Sequence, residues 1–546
     1  MRRGWPGRPG PGGRGVSGSV INSVISAPPR AGHRISFIRL DGISHVPLTD
    51  LHADAERLAT GLSGLGVGRG DRIGILASNC LEWVLLDLAA LRLGAVTAGF
   101  EPGKFDPGTE LINRYRLAML FTDRGADQGG QGIRPISDVT ALIDSSNLTP
   151  PLPPVRYRPD DVTTIKFTSG STGEPKGLAA TVGSIDSSIS AVQAMFGHGS
   201  GDDLFVFLPL SLLQQRYWIY SALRYDHDVT VSTYEAAFAA LRGAEPTVVM
   251  GVPAFYETAK KQIERMARRE PPGLTPDEAL SAAARKVFGS RIRYLWTGSA
   301  PARPSMLRFF TSVGMPIYEG YGLNETCIVS KNHPGAHREG SVGQVLPGKK
   351  VLLEADGLVS IHSEHPVSWR YEYAAAGESE RVFAADGTVR TGDLGYIDDD
   401  GFLFIRGRAD DVIVLDNGKK IIVRPIEEYL KASPAIEECV VLCPAQTYLV
   451  AVVSAAQTRA DTGAIAARLA AANATFSRDE QISDVIVASE PFSIENGMLT
   501  SQFKPRRQRI LAAYAGQVTA VKRNGNSSNA NQANQHRSEE VPGDGI

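Results

Sequence analysis

The chain has 546 residues, enough for one large domain with a smaller companion or for several domains. Hydrophobic residues make up 42% of it and charged residues 21%, as in ordinary globular proteins. With 57 Lys and Arg against 59 Asp and Glu, the formal net charge is -2, so nothing in the balance points to a nucleic-acid or anionic-membrane partner.

Cysteine spacing and hydropathy further restrict the class of protein. Cys80, Cys327, Cys439 and Cys443 form no CxxC pair of the kind found in zinc sites. No uninterrupted apolar run reaches the ~18 residues of a membrane-spanning helix. The sequence therefore predicts a cytoplasmic, reduced protein without a transmembrane segment.

The first third of the chain alternates between predicted helices and strands. Residues 1–32 are rich in Gly, Arg and Pro and lack the apolar core of a signal peptide, which predicts a disordered tail. Thr49 can cap a helix that runs to Leu62, followed by a strand at 72–76 and a helix at 80–93. A polar stretch, 126–154, is predicted as a surface connection. Strand–helix alternation of this kind indicates α/β layers with parallel strands.

A loop rich in glycines and hydroxyls follows the predicted strand Val162–Phe167. It reads Thr168, Ser169, Gly170, Ser171, Thr172, Gly173, Glu174, Pro175, Lys176 and Gly177. Glycines let backbone N–H groups approach an anion, and a lysine adds a point charge for a phosphate. The pattern predicts a polyphosphate-binding loop, but not a P-loop, whose lysine is followed by Ser or Thr. A featureless linker is the alternative, although it would need neither the strand nor the lysine.

Further strands are predicted at 204–208, 247–252, 291–296 and 316–318, and two of them lead into motifs. The third ends in Thr297, Gly298, Ser299, Ala300 and Pro301, and the fourth in Glu319, Gly320, Tyr321, Gly322, Leu323, Asn324 and Glu325. An aromatic face can stack on adenine, and a carboxylate can hold Mg²⁺ beside phosphates. A tyrosine between glycines can equally be a turn packed on the core.

The last third contains a predicted hairpin, a charged turn and a basic segment. Asp393 lies in the hairpin that continues to Arg408, and its acceptor-only carboxylate suits two vicinal ribose hydroxyls. A surface turn at Asp410 precedes a run of short strands and helices. Lys504 lies in a basic cluster before a helix, a pattern that also occurs on solvated faces.

Taken together and in this order, the motifs resemble those of the adenylate-forming superfamily, which includes acyl-CoA synthetases, adenylation domains and luciferases. The resemblance covers residues 49–509 and is closest to the long-chain-type acyl-CoA synthetases. It implies an α/β fold, in which a large N-terminal domain of layered sheets and helices precedes a small, mobile α+β domain. The implied boundaries are a tail at 1–32, an adenylation domain at 33–409, the small domain at 410–516 and a second disordered tail at 517–546.

The resemblance also implies residue roles. Tyr321 would stack on adenine opposite residues 298–300, Asp393 would bind the ribose with Arg408 close by, and Asp410 would be the hinge. Thr168, Glu325 and Lys504 would be catalytic, with Glu325 binding Mg²⁺ and Lys504 contacting the reacting carboxylate and the α-phosphate. The implied nucleotide site consists of Thr168, Ser169, Gly170, Ser171, Thr172, Gly173, Lys176, Gly298, Ser299, Ala300, Glu319, Gly320, Tyr321, Gly322, Asn324, Asp393, Arg408 and Lys504.

Two positions depart from the family pattern. Asn324 replaces a usual threonine but can still donate a hydrogen bond to phosphate. Phe503 stands where many members have glycine, which the long-chain branch tolerates.

The expected activity is ATP-dependent activation of a carboxylic acid to an acyl-adenylate, followed by transfer to coenzyme A. Leu212, Gly251, Val252 and Trp296 suggest an apolar pocket without a buried charge, which suits a fatty or aryl acid better than an amino acid. Leu212 replaces a usual His or aromatic residue at the acyl tunnel. Two alternatives stay open: transfer to an amine or a carrier-protein thiol, and a relative that binds nucleotide without catalysis.

Overall fold

The computed structural model of the chain describes residues 18–125, 132–147, 149–168, 175–270, 273–443, 448–456, 460–500 and 504–518. Up to residue 408 the helices are α1 (Val20–Ser26), α2 (Leu48–Gly64), α3 (Leu81–Leu93), α4 (Thr109–Tyr115), α5 (Asp138–Ser145), α6 (Val182–Phe196), α7 (Leu213–Tyr225), α8 (Ala237–Ala244), α9 (Pro253–Ala267), α10 (Pro276–Phe288), α11 (Pro304–Ser312) and α12 (Glu378–Val382).

The strands of this part are β1 (Arg34–Arg39), β2 (Gly42–Pro47), β3 (Arg72–Leu76), β4 (Val96–Phe100), β5 (Met119–Thr122), β6 (Ile133–Pro135), β7 (Val162–Thr168), β8 (Lys176–Thr181), β9 (Asp203–Val206), β10 (Asp228–Ser232), β11 (Val248–Gly251), β12 (Tyr294–Thr297), β13 (Ile317–Leu323), β14 (Cys327–Lys331), β15 (Gln344–Val345), β16 (Lys349–Leu353), β17 (Leu358–Ser363), β18 (Tyr371–Glu372), β19 (Val389–Ile397) and β20 (Leu403–Arg408). A 3₁₀ turn (Ala409–Asp411) then leads to β21 (Val412–Val414), β22 (Lys420–Ile422), α13 (Val423–Lys431), β23 (Ile436–Leu442), β24 (Leu449–Ala455), α14 (Thr462–Thr475), a 3₁₀ turn (Arg478–Glu480) and β25 (Ile482–Val487). Residues 507–518 are helical.

Two large mixed sheets organise the N-terminal part. One has seven strands in the order β18-β8-β7-β4-β3-β5-β6, and the other has nine in the order β15-β14-β13-β12-β11-β9-β10-β1-β2. The central strands of both are parallel. Strands β4, β11 and β12 are buried along their whole length, as expected of parallel strands covered on both faces. Helices α3, α6 and α7 supply many of the apolar side chains of the core that the two sheets share.

Smaller sheets complete the molecule. Strands β16, β17, β19 and β20 form an antiparallel sheet, and β19 and β20 make the hairpin predicted around Asp393. Beyond residue 410, the β21–β22 hairpin and the β23–β24–β25 sheet pack with α13 and α14 around their own core. The predicted fold class, α/β with a large N-terminal and a smaller C-terminal domain, is therefore confirmed. None of the helices in the described ranges has the length and apolar character needed to cross a membrane.

Three local expectations were wrong. Residues 20–26 of the predicted tail form α1, because Val20, Ile21, Val24 and Ile25 bury an apolar face on the main core. The predicted surface connection contains β6, which pairs with β5, and α5, whose Val139 and Ile143 pack on the main core. The strand predicted at 316–318 continues through the Gly-Tyr-Gly motif as β13, because β14 pairs with it.

Candidate active site

A cavity of about 70 Å³ lies where four parallel strands of the nine-stranded sheet end. Its wall includes residues just beyond β9, β11, β12 and within β13, and ligands of α/β sheets bind at such carboxyl ends. The lining residues are Leu208, Gln214, Gln215, Trp218, Met250, Gly251, Val252, Trp296, Gly298, Ser299, Gly320, Tyr321, Gly322 and Ile328. Two segments that the sequence motifs placed in one site therefore lie together.

The backbone around this cavity needs its glycines. A Cβ on Gly322 would lie 1.8 Å from the Cys327 carbonyl oxygen, so no side chain fits there. Ser299 adopts a left-handed conformation with φ of 67°, which is uncommon for a non-glycine residue. Ala300 is half-buried next to it, and Asn324 is exposed beyond β13. Apart from Tyr321, the cavity-lining residues of the two motifs are thus glycines and a serine, which have little or no side chain.

Asp393 is buried and both of its carboxylate oxygens are engaged. The Tyr321 hydroxyl donates to Oδ2 at 2.5 Å, and Arg408 Nη1 donates to Oδ1 at 3.0 Å. Burial and the Asp393 charge both raise the pKa of Tyr321, so its hydroxyl stays protonated as the donor. Burial lowers the pKa of Arg408, but the charge of Asp393, its hydrogen bond and the nearby Asp410 and Tyr321 together outweigh burial, so the pKa is raised. The three residues predicted to bind the nucleoside form one hydrogen-bonded group.

The hairpin of the predicted phosphate loop is formed by β7 and β8, in which Thr168 pairs with Lys176. Residues 169–174 of the predicted loop lie outside the described residues. Thr168 is buried at the end of β7, and the Lys176 ammonium lies 2.9 Å from Glu378 Oε1. The hydrogen bond from the Lys176 ammonium lowers the pKa of Glu378. Burial acts in the opposite direction but is the smaller effect, so the pKa is lowered.

Glu325 is half-buried, and its Oε1 accepts a hydrogen bond of 2.6 Å from the Tyr371 hydroxyl. Within the described residues no three His, Cys, Asp or Glu side chains cluster closely enough to hold a metal by themselves. A single carboxylate is nevertheless the usual protein contribution to magnesium that is bound through substrate phosphates. Glu325 therefore fits a magnesium ion bound together with a polyphosphate.

Behind the cavity lies a buried lysine that the sequence did not reveal. Lys331 has no exposed surface; its ammonium donates to the Tyr318 carbonyl at 2.7 Å and lies 3.6 Å from the centroid of the Trp296 ring. Burial lowers the pKa of Lys331 well below its usual value, and Glu319 opposes this only in part. The described residues that line the cavity carry no charge, and Lys331 lies against Trp296 rather than among them. A single lysine inside a strand carries no distinctive sequence signal.

The Glu319 carboxylate holds the backbone of the cavity wall and does not line the cavity. Its Oε1 accepts from the Ala302 N–H at 2.9 Å and so fixes the turn that follows Gly298. Burial raises the pKa of Glu319 to about 7. Its carboxylate thus connects the two backbone segments of the cavity wall.

Three of the four residues predicted to form the acid pocket line this cavity. Gly251, Val252 and Trp296 line the cavity, whereas Leu212 does not. Leu212 instead precedes the first residue of α7, and the side chains from this helix that reach the cavity are Gln214, Gln215 and Trp218. Helical spacing places residues 215 and 218 on one face, and this periodicity is visible in the sequence although it forms no motif.

The C-terminal lysine is close to the Asp393 group. Lys504 is an exposed residue, and its ammonium interacts electrostatically with Asp393 and Arg408. Desolvation in the cleft lowers the pKa of Lys504, Asp393 opposes this, and Arg408 adds to it. The small domain therefore presents Lys504 towards the large domain.

Contacts around the predicted hinge connect it to the lysine segment. Asp410 lies in the 3₁₀ turn between the domains, and its neighbour Asp411 accepts from Arg507 Nε at 3.1 Å. Arg507 also lies 2.9 Å from Glu427 Oε1. The turn at Asp410 and the segment with Lys504 are thus joined by one ion-paired arginine.

Comparisons with known proteins agree with this arrangement. Residues 29–361 match the AMP-binding enzyme family, and residues 410–524 match the AMP-binding enzyme C-terminal domain. The chain therefore belongs to the AMP-binding enzyme family, as the sequence motifs had indicated.

Individual proteins are similar over most of their length. The chain is 27% identical to the long-chain-fatty-acid–CoA ligase FadD15 of Mycobacterium bovis, covering 88% of this chain and 93% of that protein. The anthranilate CoA ligase AuaEII, solved with anthranoyl-AMP, has a TM-score of 0.74 at 19% identity, covering 90% of this chain and 96% of that one. The o-succinylbenzoate CoA synthetase MenE of Bacillus subtilis, solved with ATP and magnesium, has a TM-score of 0.67 at 21% identity, covering 87% and 96%.

Proposed function

We propose that the protein is an acid–thiol ligase, which activates a fatty or aryl carboxylic acid with ATP and transfers the acyl group to coenzyme A. One observation carries the proposal: Tyr321 lines the apolar cavity at the ends of the parallel strands and donates to Asp393, with which Lys504 interacts electrostatically. The names of the similar proteins, which are fatty-acid and aryl CoA ligases, support the same reaction.

In the first step a carboxylate oxygen forms a bond to the α-phosphorus of ATP, and the bond to pyrophosphate breaks. Both reactants are anions, so cations placed around them lower the barrier. Lys176 and Lys504 supply positive charge from opposite domains, and Asp393 orients the ribose. Magnesium held by Glu325 would neutralise further charge on the phosphates.

In the second step the sulfur of coenzyme A attacks the acyl carbonyl carbon, the thiol proton leaves to solvent, and AMP departs with its phosphate oxygen. The adenylation domain spans residues 33–409, and the small domain, residues 410–516, turns at Asp410 and so withdraws Lys504. A rotation of this kind can limit turnover. An amine or a carrier-protein thiol as acceptor is the second candidate.

Acid-dependent ATP–pyrophosphate exchange tests the first step without any acceptor. A panel of fatty, aryl and amino acids is expected to give exchange with one class, and added coenzyme A is expected to yield a thioester. Lys504→Ala is expected to lose exchange while it still binds ATP. Exchange that proceeds without thioester formation would favour the alternative acceptors, and no exchange with any acid would contradict the proposal.

A further inference from the structure

The segment formed by β18 and α12 docks directly on the phosphate-loop hairpin. Strand β18 pairs antiparallel with β8, with Tyr371 opposite Leu178 and Glu372 opposite Gly177. A Cβ on Gly177 would lie 3.0 Å from the Tyr373 ring, so this glycine permits the close approach. The segment is therefore attached to the strand that begins at Lys176.

From this position the segment reaches the two proposed phosphate-handling residues. Tyr371 donates its hydroxyl hydrogen to Glu325 Oε1 at 2.6 Å, and its ring centroid lies 5.2 Å from the Lys176 ammonium. Glu378, at the start of α12, lies 2.9 Å from the same ammonium. The side chains of Lys176 and Glu378 are only 15% and 18% exposed, which limits solvent screening of their pairing.

Each contact constrains a different group. The hydrogen bond from Tyr371 fixes the orientation of the Glu325 carboxylate, and Oε2 has no hydrogen-bond partner among the described residues. The Tyr371 ring also offers its negative face to the Lys176 ammonium. The Glu378 carboxylate, by contrast, competes with any phosphate for that ammonium, because both are anionic acceptors.

We propose that Tyr371 and Glu378 are positioning residues for magnesium–ATP: Tyr371 presents Glu325 to the metal, and Glu378 holds Lys176 until a phosphate replaces it. The inference rests on the proposed function for the identity of the nucleotide. It assigns no bond making or breaking to either residue. Binding of ATP then exchanges one ion pair, Lys176–Glu378, for another, Lys176–phosphate.

Removing the Tyr371 hydroxyl and removing the Glu378 charge should change different measured quantities. Without the Tyr371 hydroxyl, Glu325 loses its orientation, so more free Mg²⁺ is needed to reach the same ATP affinity. Without the Glu378 charge, Lys176 is free and the site repels phosphates less, so ATP binds more tightly even without Mg²⁺. If both residues had a purely structural role, one substitution would not weaken Mg²⁺-dependent ATP binding while the other tightens ATP binding without Mg²⁺.

The test is calorimetric titration of ATP into the full-length protein, without any acid, over a series of Mg²⁺ concentrations. Tyr371→Phe is compared with Tyr373→Phe, since the Tyr373 hydroxyl contacts Arg72 and the Tyr115 carbonyl instead of Glu325. Glu378→Gln is compared with Glu380→Gln, which removes the same charge from an exposed position of the same helix. Thermal melting first establishes that each variant is folded.

We expect Tyr371→Phe to raise the Mg²⁺ requirement about tenfold, the effect of one charge-assisted hydrogen bond of about 1.4 kcal/mol, while Tyr373→Phe leaves it unchanged. Glu378→Gln is expected to tighten ATP binding without Mg²⁺ about threefold, in the range of a partly exposed ion pair. The inference is overturned if each variant has the same Mg²⁺ requirement and ATP affinity as its control. If Tyr371→Phe does not fold, the comparison of Glu378→Gln with Glu380→Gln decides.

The outcome is separable from that of the proposed function. If ATP binds with these Mg²⁺ dependences but no acid supports pyrophosphate exchange, the positioning roles stand and the ligase function fails. If the unmodified protein binds no ATP at any Mg²⁺ concentration, both are overturned.

Discussion

The hydroxyl of Tyr321 donates to Asp393 Oδ2 at 2.5 Å, which joins the proposed adenine platform to the proposed ribose ligand. With Arg408 on Oδ1, both oxygens of the carboxylate have donors before any nucleotide is bound. Ribose hydroxyls would therefore have to share the Asp393 carboxylate with these donors or displace them. The two residues consequently form one unit, and changes to them should not be additive.

The first prediction separates the ring of Tyr321 from its hydroxyl. Tyr321→Phe keeps the stacking face and removes one donor to Asp393, so the KM for ATP should rise less than about threefold. Asp393→Ala removes the charged acceptor and should raise this KM by about 10- to 100-fold, the range of a hydrogen bond to a charged group. Steady-state kinetics of pyrophosphate exchange at varied ATP measures both. Equal effects would show that Asp393 does not bind the nucleotide.

The second prediction concerns pH. The pKa of Lys504 is lowered, chiefly by desolvation in the cleft, and the protonated form is the one that can neutralise phosphate charge. Because the ammonium loses its proton as pH rises, exchange activity should fall at a lower pH than an ordinary lysine would allow. The arginine in Lys504→Arg stays charged at all accessible pH values, so this variant should show no alkaline fall in exchange activity. Its exchange rate should be lower than that of the unmodified protein. An unchanged profile in the arginine variant would assign the fall to another group.

The third prediction concerns the core beneath the site. The Arg216 guanidinium is buried, donates to Asp87 Oδ1 at 2.8 Å and lies over the Trp83 ring. Arg216→Met leaves the Asp87 charge buried without its partner and should cost about 3–5 kcal/mol of stability.

A matched control lies at the surface between the domains. Lys261 pairs with Glu437 at 3.0 Å with both side chains well exposed, so Lys261→Met should cost less than about 1 kcal/mol. Urea unfolding followed by circular dichroism compares the two variants. Similar midpoints would mean that the buried pair contributes no more than the exposed one.

The fourth prediction addresses the length of the acid. Trp218 and Trp296 meet edge to face with their ring centroids 5.1 Å apart, and both line the cavity. Trp218→Leu opens this end, so the kcat/KM ratio of long to short acids should increase by about tenfold, the effect of a few methylene groups in an apolar pocket. Trp369→Leu, at a tryptophan that is 53% exposed, is the control. An unchanged ratio would place the acyl chain elsewhere.

Much of the site could be inferred from local sequence, because the groups that bind phosphate and nucleoside lie in short contiguous motifs. Lys176, Tyr321, Glu325, Asp393 and Lys504 each stood in such a motif, and their order along the chain indicated the family. Glycines at positions where a Cβ would collide, as at Gly322, are part of the same local signal. Strands β3, β7, β9, β11 and β12 were also predicted from their apolar runs, whereas the parallel strands β1, β4, β5 and β10 were not.

Tertiary structure decided which side chains meet. The contacts Tyr371–Glu325 and Lys176–Glu378 join residues 46 and 202 positions apart, and no periodicity reports such pairs. The burial of Lys331 against Trp296 and of α1 against the core depends in the same way on packing between distant segments. Sequence by itself thus determined the chemistry that the chain carries, because that chemistry is encoded by residue type and local spacing. Only folding determined the partners of each charge, because the pairing energy of a charge depends on distances that the chain order does not specify.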